Sequence, residues 1–109
     1  MIQFDASQIQ WREPWLAVSL DYAPKAEAEL RREMCAGHVL FAREFVAVGC
    51  RQDCDDVLFY LGDTTPRFAV VHLTWQRETL PEWPSTVLFS TIEVWIEQCL
   101  IPDVEEFSL

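Results

Sequence analysis

The chain has 109 residues, half of them apolar, and a formal net charge of −10, which fits a single domain over residues 1–109. No apolar run approaches the ~18 residues of a membrane span, and the N-terminus lacks the basic and apolar regions of a secretory signal, so we expect a soluble, cytoplasmic protein. The acidic balance disfavours nucleic acids and anionic membrane surfaces as partners, because they carry the same sign of charge.

The first third of the chain predicts a short strand followed by an amphipathic helix. Residues 15–20 fit the strand. The helix is predicted over residues 21–36, because Pro24 suits a first turn and Ala26, Leu30 and Met34 recur on one face. Gly37 is expected to end the helix, since glycine accepts the left-handed conformation common at that position.

Three strands are predicted in the middle of the chain, over residues 41–51, 56–61 and 67–75. The segment 62–66 has the composition of a turn, so the second and third of these strands should form an antiparallel hairpin. The third strand is apolar on both faces, a pattern typical of a strand covered on both sides.

The last third predicts an irregular segment and then a second helix. Residues 76–89 are expected to be irregular because prolines interrupt them. The helix is expected to begin at Ser90, which forms a capping box with Glu93, and to end at Pro102. We therefore predict an α+β fold, with an antiparallel sheet of about three to four strands packed with two main helices.

Five residues of the middle and later segments are candidates for a functional site. His72, inside the third strand, fits either a partly buried core histidine or a general base or metal ligand. Asp55 and Asp56 precede the neighbouring strand, where aspartate is also a common turn residue. Trp75 and Trp83 could frame a pocket or an interface, although tryptophan is more often part of a core.

The four cysteines, Cys35, Cys50, Cys54 and Cys99, are predicted to be free thiols of a reducing compartment. A zinc site would need a second ligand pair of regular spacing, and the acids around residue 51 oppose a reactive thiolate. We therefore predict no metal site. The sequence also has no glycine-rich phosphate loop and no familiar catalytic motif, so it assigns no catalytic residue and no cofactor.

The C-terminal third contains seven acidic residues after residue 77 and no lysine or arginine. Such a surface would steer a basic protein toward itself, although the commoner role of surface charge is solubility. The candidate partner-binding residues are Glu93, Glu97, Glu105 and Glu106.

Two sequence strings carry a resemblance to known proteins. DDVLF at residues 55–59 and FAVVHLTW at residues 68–75, with Trp83 and Pro84 before the second helix, resemble a group of small uncharacterised bacterial proteins over roughly residues 37–100. The chain is also similar, in size, charge and expected fold class, to the immunity proteins of bacterial toxin systems. The first resemblance implies kinship without a known activity, and the second implies a role in binding another protein.

The sequence thus favours a non-enzymatic protein that binds a basic protein partner in the manner of an immunity or inhibitor protein. The alternative is a small enzyme or ligand-binding domain that uses His72 with Asp55 or Asp56. A histidine and an aspartate sharing a water-accessible concave site would favour the alternative, and a sealed histidine beside a convex acidic patch would favour binding.

Overall fold

The structure is a computed structural model that describes residues 2–108. A 3₁₀ turn, Ala6–Gln8, precedes the regular elements. The strands and helices, in chain order, are β1 Trp15–Ala17, α1 Tyr22–Glu33, β2 Val46–Arg51, β3 Asp56–Tyr60, β4 Phe68–His72, β5 Thr86–Phe89, α2 Ile92–Trp95, a π-helical segment Ile96–Leu100 and α3 Ile101–Phe107. The last three are continuous, and we call them together the C-terminal helix.

The five strands form one antiparallel sheet in the order β1-β2-β3-β4-β5, so each strand pairs with its neighbours in sequence. The prediction of an α+β fold with an antiparallel sheet is confirmed, but the sheet has five strands rather than three to four. The additional strand is β5, which lies inside the segment predicted to be irregular. Its four residues pair with β4 from Phe68↔Phe89 to Val71↔Thr86. A run this short gives little alternation to detect.

The predicted hairpin is confirmed, because β3 and β4 pair antiparallel with Leu58 opposite Val70. The sheet separates two apolar clusters, and β4 contributes to both. Phe68 and Val70 belong to one cluster, and Ala69 and Val71 belong to the other. The prediction of a strand covered on both faces therefore holds for β4.

A helix covers each face of the sheet. Ala26 and Leu30 of α1 are fully buried in one cluster, and Trp95, Leu100 and Val104 of the C-terminal helix are buried in the other. At about 25 cal/mol per Å² of apolar surface removed from water, these contacts supply the main favourable term for folding. Within residues 2–108, no helix is both long and apolar enough to cross a membrane.

Helix α1 ends at Glu33, three residues before the predicted end. Met34 already has an extended backbone, so Gly37 is not the residue that stops the helix. Gly37 has a φ of 101° in the turn that follows and lies against the Pro81 side chain. The carbonyl oxygen of Glu33, which has no partner within the helix, accepts a hydrogen bond from the Glu78 amide at 3.0 Å.

The C-terminal helix begins one residue later than predicted and continues past Pro102. Thr91, not Ser90, is the N-cap, and its hydroxyl accepts from the Val94 amide at 3.3 Å. The Ser90 carbonyl instead accepts from the Arg67 amide, at the end of the sheet. A proline inside a helix removes an N–H and crowds the carbonyl four residues earlier, and the wider π turn before Pro102 relieves that conflict.

Candidate functional site

Four acidic residues of the C-terminal helix lie on its solvent-exposed surface. Glu93, Glu97, Glu105 and Glu106 are all exposed. The ion pairs found within residues 2–108 involve other acids, so these four carboxylates have no positive partner there. We call these four residues the acidic face. The structure brings all four predicted partner-binding residues onto one element.

The π-helical segment aligns the acidic face. Its defining bond runs from the Ile101 amide to the Ile96 carbonyl, so the helix holds one residue more than regular α-helical winding would. Glu105 follows Glu93 by 12 positions in the sequence. Because the π turn takes up one of these residues, the rotation between them is equivalent to about 11 residues of regular α-helix, or roughly three full turns. Glu93, Glu97 and Glu105 therefore lie along one side of the helix.

The same extra residue keeps the apolar side facing the sheet. Trp95, Leu100 and Val104 are spaced five and four apart, which is equivalent to the i, i+4, i+8 pattern of a regular helix. All three are buried. In the sequence, the spacing of five interrupts the regular helical pattern, so these residues did not reveal that the helix passes Pro102.

Asp103, one of the seven acids of this region, is not part of the acidic face. Its Oδ2 atom accepts a hydrogen bond from the Trp15 indole N–H at 2.9 Å and lies 3.2 Å from an Arg51 guanidinium nitrogen. The Cys99 thiol donates to the same oxygen at 3.4 Å. These contacts join the C-terminal helix to β1 and β2, so Asp103 holds the acidic face in position.

The structure places His72 and Asp56 in contact, and none of the other three candidates is hydrogen-bonded to this pair through its side chain. His72 and Asp56 are opposite each other at the ends of β4 and β3, with His72 Nδ1 2.7 Å from Asp56 Oδ1. The His72 side chain is 52% exposed, so it is not a core histidine. Five cavities of about 310 to 480 Å³ are lined by other residues, and one of these includes Asp55. The pair is thus accessible to solvent rather than sealed.

Trp75 and Trp83 are both surface residues, 47% and 44% exposed. Trp75 has a φ of 59°, an uncommon backbone conformation for a residue with a side chain. Its amide N–H donates to Glu33 Oε2 at 2.8 Å. The backbone of Trp75 is therefore held by a residue of α1.

Glu33 is the residue that the sequence did not reveal. Its side chain is fully buried at the end of α1, where Oε1 also accepts bonds from the Thr74 amide and hydroxyl at 2.9 and 3.0 Å. Burial, followed by a hydrogen bond with the Glu29 carboxyl, raises the pKa of Glu33 to about 7, although the bonds from Thr74 and Trp75 act in the opposite direction. Glu29 itself is held by Arg32, which lowers its pKa.

All four cysteines are free thiols, as predicted, but they are not equally covered. Cys54 is exposed, and the other three are partly buried. Burial raises the pKa of Cys50 and Cys54, and it raises the pKa of Cys99 to about 12 with a further contribution from Asp103. Thiols with raised pKa values are poor nucleophiles at neutral pH. Among residues 2–108, no group of three or more potential ligands is arranged to hold a metal ion.

Comparisons of the chain with protein-family models, with curated proteins and with solved structures found no match. The resemblances noted from the sequence strings therefore stay predictions.

Proposed function

We propose that this protein is a non-enzymatic binding protein that recognises a basic protein partner through the acidic face, in the manner of an immunity or inhibitor protein. The observation that carries the proposal is the alignment of exposed glutamates that have no positive partner within residues 2–108.

The arrangement has an energetic cost that a basic partner would relieve. Glu93 and Glu97 are four residues apart, and like charges at this spacing destabilise a helix by about 0.2–0.5 kcal/mol. The π-helical segment adds Glu105 to the same side. Bringing lysine or arginine side chains against this surface replaces repulsion by attraction, and it increases the rate of encounter.

The acidic face is also held rigidly, which favours recognition. The buried side chains of the C-terminal helix pack on the sheet, and Asp103 is bonded to β1 and β2. A surface that is ordered before binding loses little conformational entropy on association. A cytoplasmic location is part of the same proposal.

The proposal is tested by capture from an extract of the native host. The bait is the wild-type protein, or a variant with Glu93, Glu97, Glu105 and Glu106 changed to Gln. We expect the wild-type protein to retain a basic protein that the variant does not retain, because the variant lacks the charges that attract it.

A matched control variant loses four charges elsewhere: the exposed residues Glu13, Asp21, Glu44 and Asp55 are changed to the corresponding amides. This control should retain the partner. Retention of the same protein by the variant without the acidic face, or retention of acidic proteins alone, would contradict the proposal.

A second candidate function rests on the His72–Asp56 pair. The Asp56 carboxylate fixes the imidazole through Nδ1 and leaves Nε2 directed at no hydrogen-bond partner among residues 2–108, which is the arrangement of a general base. Hydrolysis of an activated ester such as p-nitrophenyl acetate that is lost in His72→Asn would favour this function. Equal slow hydrolysis by both proteins would exclude it for this class of substrate.

A further inference from the structure

The outer edge of β5 is the longer open edge of the sheet. β5 pairs with β4 on one side, and among residues 2–108 the backbone bonds outside the sheet ladders involve none of the residues from Thr86 to Phe89. An unpaired strand edge presents a row of N–H and C=O groups that can pair with another extended chain. We propose that an extended segment of the basic partner adds to β5 as a sixth strand, a proposal that rests on the proposed function.

β5 lacks two features that often protect an edge strand, a charged side chain and a proline. Its sequence, Thr-Val-Leu-Phe, contains no charge and no proline. Val87 is 55% exposed and Leu88 is 38% exposed, and they point to opposite faces of the sheet because they are consecutive in a strand. An added strand would therefore cover apolar surface on both faces.

The other edge strand, β1, is shorter and better protected. It has three residues, and the charged residues Arg12 and Glu13 lie just before it. These differences single out β5 as the edge available to a partner.

Acidic residues lie at both ends of β5. At its beginning, Glu82 borders the same cavity as Thr86. At its end, Glu93 borders a cavity of about 410 Å³ with Phe68, which pairs with Phe89. The remaining charged residues that line this second cavity are two acids and one base: Asp5, Asp63 and Arg67.

The charges at the two ends of β5 favour a basic segment over a second copy of the chain as the strand that pairs with this edge. In antiparallel pairing of β5 with itself, the beginning of one strand meets the end of the other, so Glu82 of one copy would approach Glu93 of the second. Like charges brought together in this way oppose association. A segment with apolar residues in its middle and lysine or arginine near its ends is complementary to both ends.

The edge of β5 is continuous with the acidic face, because Glu93 belongs to both the cavity at the end of β5 and the C-terminal helix. A four-residue strand is roughly 13 Å long, so a segment of about six or seven residues would reach both acidic ends. The partner would thus contact the strand with its backbone and the helix with its charges.

The test uses an acetylated and amidated peptide, Lys-Thr-Val-Thr-Val-Thr-Lys, added to ¹⁵N-labelled full-length protein. We expect the amide signals of β5 to shift, and the outward-facing β5 amides to gain protection from hydrogen exchange. The substitutions Val87→Lys and Leu88→Lys place a positive charge at the edge and should weaken binding about tenfold or more. Leu16→Lys is the matched control on β1, because Leu16 is 39% exposed, and it should bind as the wild type does.

Each other outcome overturns the proposal in a distinguishable way. Shifts confined to the C-terminal helix, with no effect of Leu88→Lys, would remove the strand addition and leave the proposed function intact. Equal binding at β5 of a peptide with Glu in place of both Lys residues would show that strand addition does not select a basic segment, and it would leave the proposed function of the acidic face intact. The absence of peptide binding would also overturn the proposal. A dimer detected by sedimentation and dissociated by Leu88→Lys would overturn it as well, because it would identify a second copy of the chain as the strand that pairs with β5.

Discussion

Replacing Glu33 with glutamine should remove a pH dependence of stability that this one buried carboxyl produces. The pKa of Glu33 is about 7 in the folded protein, against 4.5 for an ordinary glutamate. The folded state therefore holds this proton more tightly than the unfolded state, and the stabilisation it gives is complete below pH 4.5 and is lost as pH rises through 7. Since one pKa unit corresponds to about 1.4 kcal/mol, the free energy of unfolding should fall by about 3 kcal/mol across this window.

Glu33→Gln changes both the pH dependence of the free energy of unfolding and the value of that free energy at a given pH. Its side-chain carbonyl can still accept from Thr74, but its amide nitrogen cannot accept from the Trp75 N–H, so one hydrogen bond is lost. Leaving that donor without a partner costs about 1–3 kcal/mol. Glu33→Gln should therefore be less stable than the wild type at about pH 5, and the two should converge or cross near about pH 8.

The assay is urea denaturation followed by tryptophan fluorescence at a series of pH values, with the slope of the wild type compared with that of the variant. Glu29 does not confound the comparison, because its lowered pKa places its own effect at lower pH. The histidines are the same in both proteins, so their contributions cancel in the difference. The reasoning fails if the wild type shows no loss of stability between about pH 5 and 8, or if the variant shows the same loss.

Two further predictions follow from packing and from the thiols. Gly49→Ala should lower the free energy of unfolding by about 1–3 kcal/mol in urea titrations, because a Cβ atom there would overlap the Trp11 ring and approach the Leu16 carbonyl oxygen at 3.1 Å; an unchanged midpoint would show that Trp11 moves aside freely. Thiol titration of the denatured protein without reductant should find four reactive groups, and a count of two or none would show that the cysteines are paired.

The sequence predicted the fold most accurately where the apolar pattern was long. The alternating residues of β4 and the turn before it are sufficient to predict a buried hairpin, because a strand covered on both faces needs apolar residues at every position. The apolar pattern does not predict β5, because its four residues are too few to show alternation and no clear turn follows them. It also fails at the C-terminal helix, since a rule based on Pro102 assumes regular α-helical winding and the π turn changes it.

The candidate site was predictable only in its local parts. The acidic face could be proposed from composition, since its residues are close in sequence. The contacts that matter most elsewhere join distant segments: Glu33 reaches Thr74 and Trp75, and Asp103 reaches Trp15 and Arg51. A glutamate among other charged residues of a helix gives no sign that it is buried, so such contacts require the tertiary structure.

The most direct test of the account is the association rate of the captured partner as a function of salt. At about 0.15 M salt the electrostatic field of the acidic face extends only ~8 Å, so it acts mainly during encounter. Raising the salt concentration should slow association far more than it speeds dissociation, and the Gln variant of Glu93, Glu97, Glu105 and Glu106 should associate slowly at every salt concentration. A partner whose association rate is unaffected by salt and by these four substitutions would contradict the proposal that the acidic face is the binding surface.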